Sequence, residues 1–169
     1  MSRLLIVHHS PTPGVTQLTD ALVAGARDEE IEGVEVVVRS ALDAASAEGA
    51  EEVLAADGYL IATPANFGYM SGALKHFFDT IFLHAGGSLG EDGAADGDGS
   101  TGKASRKPYG LLVHGRYDTT GAVRSVQSII EALGWTQSAE VLSVLGDVGE
   151  GEESSAYELG ATIAALLSN

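Results

Sequence analysis

Hydroxyls, glycines and flat rings gather at three points of this chain, each just beyond an apolar run. The first is SPTPGVTQ, residues 10–17, where Ser10, Thr12 and Thr16 surround Gly14 at the start of a segment with helical period. Backbone N–H groups at a helix start have no partner, and the helix dipole favours an anion there. The three hydroxyls add donors around the same anion. A plainer reading stays open: Thr12 or Thr16 only caps the helix, and the proline-rich turn needs no ligand. The loop carries neither G-x-x-x-x-G-K-[ST] nor G-x-G-x-x-G. It therefore lacks the lysine that meets a triphosphate and the dinucleotide fingerprint. The candidate left is a phosphate monoester held by hydroxyls and backbone, without basic side chains.

The second point is TPANFGYMSG, residues 63–72. Turns ordinarily take small or polar residues, yet this one holds Phe67, Tyr69 and Met70. Phe67 or Tyr69 would stack an aromatic ligand while Asn66 and loop amides read its polar edge. The alternative is that these side chains pack into the core or an oligomer interface. The third point, HGRYDTTGA at 114–122, ends in another hydroxyl-rich helix start. Three loops of similar chemistry at one sheet edge carry more weight than any one of them.

The elements that must bring them together are legible as alternating periods. Residues 3–7, 34–38, 58–63, 108–114 and 140–145 read as strands, the third ended by Pro64, which cannot donate to a ladder. Between them Val15, Leu18, Leu22, Val23 and Ala26 recur at helical spacing, as do Leu74, Phe77, Phe78, Ile81 and Phe82. Residues 42–56 are alanine-rich and expected to hold helical turns. Val123, Val126, Ile130 and Leu133 mark a helix that Gly134 stops, and Leu159, Ile163, Leu166 and Leu167 mark the last one. Five such alternations call for an α/β fold, a parallel sheet with helices on both faces. Ligands of such sheets bind outside the carboxyl ends of the strands, where the strand order reverses.

The chain of 169 residues is expected to form one domain, 1–169. Its segment 86–107 is rich in glycine and acid and has no periodicity, and reads as a mobile surface insertion. The Asp96-Gly97-Asp98-Gly99 run within it lacks the late glutamate of a calcium loop, and no metal site is expected. A formal net charge of -15 argues against nucleic acid and anionic lipid as partners. No apolar run reaches the roughly 18 residues a membrane span needs, and the N-terminus lacks a signal-peptide pattern. With no cysteine there is no thiol nucleophile or disulfide. A cytoplasmic protein is expected. The histidines show no H-E-x-x-H pairing, and G-x-S-x-G is absent.

Taken in order along nearly the whole chain, these loops resemble the flavodoxin-like family. The specific part is T-P-x-x-F-G-x-M-S-G-x-L-K-x-F-x-D, from Thr63 to Asp79. Within the family the likeness is to NAD(P)H-dependent FMN reductases and WrbA-type quinone reductases. The resemblance implies a five-stranded parallel sheet in the order 2-1-3-4-5. It implies FMN, with the ribityl phosphate on Ser10, Thr12, Gly14, Val15, Thr16 and Gln17. Pro64, Ala65, Asn66, Phe67 and Gly68 would border the isoalloxazine ring, and His114, Gly115, Tyr117, Asp118 and Gly121 would close its other side.

Because the hydride chemistry of a flavoprotein belongs to the cofactor, no strict catalytic acid or base is assigned. His114, Tyr117 and Asp118 are the side chains placed to tune the ring. The resemblance also implies NAD(P)H as donor, a quinone or similar small-molecule acceptor, and a homodimer or tetramer. Two alternatives stand beside this enzyme: an electron carrier whose acidic surface docks a redox protein, and a module that has lost flavin. The first loop departs from the family's S-x-T-G-N-T, with Ser10 four residues before Gly14 and Val15 in the asparagine place.

Overall fold

Alternation along each central strand divides its side chains between two cores. In the computed structural model, which describes residues 1–82, 84 and 106–168, strand β1 (Ser2–His8) sends Leu4 and Ile6 to one face and Leu5 and Val7 to the other. All four are buried. Strands β3 (Gly58–Asn66) and β5 (Pro108–Gly115) split in the same way, Leu60 and Leu112 against Ile61 and Leu111. Continuous apolar runs therefore read as strands covered on both faces.

Helices α1 (Pro13–Ala26) and α6 (Glu150–Leu167) cover the Leu4 face. The other face is covered by α2 (Ala41–Ala44), α3 (Ala47–Ala55), α4 (Gly72–Ile81) and α5 (Thr120–Leu133). α1 and α6 lie so close that a Cβ at Gly160 would stand 2.0 Å from the Leu22 carbonyl oxygen, and one at Gly25 1.9 Å from that of Tyr157.

Strand β2 (Val34–Ser40) pairs with β1, β1 with β3 and β3 with β5, all parallel. The outermost strand comes in two pieces, β6 (Thr136–Gln137) and β7 (Leu142–Leu145), each parallel to β5. The parallel strands thus lie in the order β2-β1-β3-β5 and then β6 and β7, with helices on both faces; this is the flavodoxin-like α/β architecture expected, and it departs from five uninterrupted strands in its split outer strand. The expected fifth strand, 140–145, keeps its last four residues. Its first two residues are unpaired, and two earlier residues pair instead.

The third strand does not stop at Pro64. β1 ends its pairing at His8 opposite Ala62, and the Ala62 carbonyl accepts from His9 N–H at 3.0 Å. Two residues on, the nitrogen of Pro64 points to that same side, where no strand remains, so the missing donor costs no ladder bond. On the β5 side Pro64 stays in register with His114. The strand runs on to Asn66 and folds back as β4 (Tyr69–Met70), with Ala65 opposite Met70 and Asn66 opposite Tyr69.

Ser71 then caps α4, its hydroxyl accepting from Leu74 N–H at 3.1 Å, and Leu74, Phe77, Phe78 and Ile81 bury the expected stripe. Gly134 ends α5 in the left-handed conformation at φ 73°. Of the segment 86–107, all but Arg106 and Lys107 lies outside the described residues. No helix among the described residues is long and apolar enough to cross a membrane.

Candidate functional site

A two-residue hairpin turn of type I′, one of the two whose twist matches that of the flanking strands, has positive φ at both central positions. Between β3 and β4 those positions are Phe67, at φ 50°, and Gly68, at φ 74°. Glycine adopts this freely; a phenylalanine does so at a cost. The Phe67 ring gains no packing in return, being wholly exposed, while Met70 drops into the core. Buried Thr63 fixes the hairpin base, accepting from Ser71 N–H at 3.1 Å and donating to the Pro64 carbonyl at 2.9 Å. Strained backbone positions of this kind cluster at active sites and ligand clamps.

Beside that hairpin a cavity of about 490 Å³ opens at the carboxyl edge of the sheet. Thr12, Pro13, Gly14 and Gln17 line it from the start of α1. Pro64, Ala65 and Asn66 line it from β3, and His114, Gly115 and Arg116 from β5 and the loop beyond. Gly146, Asp147 and Val148 close it from the loop after β7. A volume of this size suits a small organic ligand.

His114 ties these loops together. Its Nε2 lies 2.8 Å from the Gly146 carbonyl; since a carbonyl only accepts, Nε2 carries the proton, and in the neutral ring Nδ1 is the acceptor. The ring rests on Gly14, where a Cβ would stand 2.7 Å from His114 Cε1. Gly146 N–H donates to the Gly115 carbonyl at 2.8 Å. One residue further along each loop, Arg116 Nη1 meets Asp147 Oδ1 at 2.9 Å.

At the start of α1, Thr12 occupies the cap position without a side-chain hydrogen bond, and Pro13 takes the first turn. The first-turn N–H groups therefore lack a capping side chain beside the cavity. The neighbouring hydroxyls are already engaged. Thr16 Oγ1 donates to the carbonyls of Ser10 (3.1 Å) and Thr12 (2.9 Å). Ser10 Oγ bonds His8 Nδ1 and Thr19 Oγ1, each at 2.9 Å, on the far side of the loop. Burial pushes the pKa of His8 down, partly opposed by the carboxylate of Asp20. Gln17 donates its amide N–H to Glu153.

Of the sequence-predicted site residues, the cavity thus gathers Thr12, Gly14, Gln17, Pro64, Ala65, Asn66, His114 and Gly115. Val15 is fully buried, and Ser10 and Thr16 border a second, smaller cleft behind the loop. Phe67 and Gly68 form the hairpin tip. Tyr117 is exposed outside the lining, and Asp118 caps α5, accepting from Thr120 N–H at 3.0 Å and Oγ1 at 2.7 Å. Those two bonds hold its carboxyl below the usual carboxylate range. Gly121 touches the hairpin instead of the cavity, since a Cβ there would lie 1.9 Å from the Gly68 carbonyl oxygen.

Sequence reasoning missed Pro13, Arg116 and the whole loop 146–148. The Gly146-Asp147 pair just past the last strand was a readable turn signal, and Gly146 does sit at φ 81°.

Comparison with known proteins agrees with the architecture. Residues 2–114 match the model of a family described as having the flavodoxin-like fold. A flavodoxin from Aquifex aeolicus (strain VF5) is 31% identical over 81 residues, which is 48% of this chain and only 40% of that relative's length. Two solved structures are similar over almost their full length at 16% identity, a likeness of fold. One is a flavodoxin from the domain Archaea, with a TM-score of 0.74, covering 98% of each chain. The other is a WrbA-like flavodoxin from Agrobacterium tumefaciens, with a TM-score of 0.73, covering 99% of this chain and 98% of that one.

Proposed function

The chain belongs to the flavodoxin-like fold family, and from that premise we propose that its cavity binds FMN and serves an NAD(P)H-dependent oxidoreductase. The donor set fits the group. Pro64 and Ala65 give an apolar wall, the Asn66 amide a polar edge, and His114 and Gly115 the opposite side. The α1 start, with its uncapped N–H groups and the Thr12 hydroxyl, suits an anionic tail. The observation that carries the reading is Phe67, held exposed in a strained turn one residue beyond the cavity wall.

When bound, FMN supplies the hydride and electron chemistry. The chain's own residues bind and orient it. Asn66 would read a polar edge of the ring and Phe67 would cover the ring from the hairpin tip, while His114, bonded to the Gly146 carbonyl, would keep its side of the cavity in place. Reduced nicotinamide is the donor we propose, and a quinone or similar small molecule the acceptor.

The net charge of -15 favours a second reading, an electron carrier that docks a redox protein through its acidic surface. Two measurements test both. Titration of FMN into the purified protein should quench flavin fluorescence; no quenching and no flavin bands in the visible spectrum would defeat either reading. Anaerobic rapid mixing with NADH or NADPH should then bleach the bound flavin directly. Bleaching only in the presence of a partner reductase would select the carrier.

A further inference from the structure

On the far side of the loop that follows β5, the carboxyl edge of the sheet carries a second opening. A cleft of about 340 Å³ lies between the first turns of α5 and the start of β7. Val123 and Val141 give it apolar walls, Thr119, Ser143 and Gln127 its hydroxyls and amide, and Arg124 a guanidinium. The Thr119 and Ser143 hydroxyls bond each other, and Gln127 donates to the Gln137 side-chain carbonyl at 2.9 Å. Arg124 is exposed and makes no ion pair among the described residues; the pairs found there engage Arg3, Arg39, Lys75 and Arg116.

The cleft and the flavin cavity share a wall. Gly115 lines the cavity and Thr119 the cleft, and a Cβ at Gly115 would stand 3.1 Å from Thr119 Cγ2. A dinucleotide joins two nucleotides through a pyrophosphate, so one end can lie at the cavity while the other crosses this single loop. The cation of the cleft is a side chain and not the helix start, because Asp118 already accepts the Thr120 N–H at 3.0 Å.

We propose that this cleft seats the adenosine end of the reduced nicotinamide donor, and that Arg124 recognises the ribose 2′-phosphate by which NADPH differs from NADH. The inference rests on the oxidoreductase reading above and deepens it by naming the donor. The planar fork of an arginine meets a phosphate with two charge-assisted bonds. Dinucleotide sites divide on this point: a carboxylate holds the 2′-hydroxyl of NADH, whereas an arginine accommodates the 2′-phosphate of NADPH. The described lining of this cleft has the arginine and no carboxylate. NADH would keep the hydroxyl and amide contacts and gain nothing from the cation.

The probes are adenosine 2′,5′-bisphosphate and adenosine 5′-monophosphate, titrated calorimetrically into the FMN-loaded protein, with NADPH and NADH compared by anaerobic rapid mixing. The wild type should bind the bisphosphate about tenfold more tightly than the monophosphate, and NADPH should bleach the flavin at correspondingly lower concentration than NADH. Arg124→Gln should lose that difference and keep its affinity for the monophosphate, for NADH and for FMN. Salt should narrow the wild-type preference. Retained FMN binding reports that the variant is folded. A wild type indifferent to the 2′-phosphate, or a preference that survives Arg124→Gln, would overturn this inference and leave the FMN reading in place. Equal loss of both probes in the variant would also overturn it, since the arginine would then serve a phosphate common to the two. A wild-type protein that binds no FMN would overturn the FMN reading and this inference together.

Discussion

Phe67 separates what the fold needs from what the ligand needs, and replacing it measures both. In the left-handed region an L side chain costs about 1–2 kcal/mol. Glycine escapes that cost but loses about 0.5–1 kcal/mol more in chain entropy on folding. The ring, wholly exposed at φ 50°, gives up no packing. Phe67→Gly should therefore stabilise the protein by zero to about 1.5 kcal/mol, a rise in Tm of up to about 6 °C for a chain this long. Phe67→Ala keeps the strain and should stay within about 0.5 kcal/mol of the wild type.

Both variants remove the same ring from the hairpin tip. Aromatic pairs are worth about 0.5–1.5 kcal/mol beyond their buried area, so FMN affinity should fall about two- to tenfold in each. Thermal melts and flavin fluorescence titrations on the three proteins give the two numbers. A Phe67→Gly variant that melts well below the wild type would mean the ring is packed in solution, and the strain argument would fail. Unchanged FMN affinity in both variants would mean the ring stacks on nothing.

Other positions give sharper local tests. Gly14→Ala would put a Cβ 2.7 Å from His114 Cε1; the ring must move off Gly146, and FMN affinity should drop about tenfold, or one step of 1.4 kcal/mol, as calorimetric titration would read. Gly160→Ala would press a methyl to 2.0 Å from the Leu22 carbonyl, costing about 1–3 kcal/mol of stability in a urea melt while FMN affinity is kept. Burial depresses the pKa of His8, so as pH falls below its ordinary value of about 6.5 the unfolded chain takes up the proton first and native stability declines. Urea midpoints measured from neutral pH down to about pH 5 should fall less steeply for His8→Gln than for the wild type.

The fold was legible because two periods do not overlap. Runs such as Leu4 to Val7 and Tyr59 to Ala62 had to be buried on both faces, and the stripe from Leu74 to Ile81 had to be a helix. The site was legible as loops but not as directions. Nothing in SPTPGVTQ says that Ser10 turns back to His8 and Thr19 while Thr12 faces the cavity; that depends on where α1 packs. Pro64 was read as a strand end because a missing donor was counted as a lost bond, and only the length of β1 shows that no bond was there to lose. The loop after β7 escaped notice because its strand is short, and short strands carry little periodicity.

That interrupted outer strand bears on how molecules of this chain meet one another. An open sheet presents unpaired N–H and C=O groups along both margins, a template on which further copies could add. On the β5 side the margin is cut into pieces of two and four residues, too short to seed a foreign strand. The β2 margin is seven residues long and valine-rich. Here Glu35 and Arg39 interrupt the valines, tied by ion pairs to Arg3 and Glu52. Any copy approaching in register would have to bury those charges, and would bring another -15 with it. Among the described residues, a broken strand at one rim and two ion-paired charges at the other make neither margin a good template for strand addition.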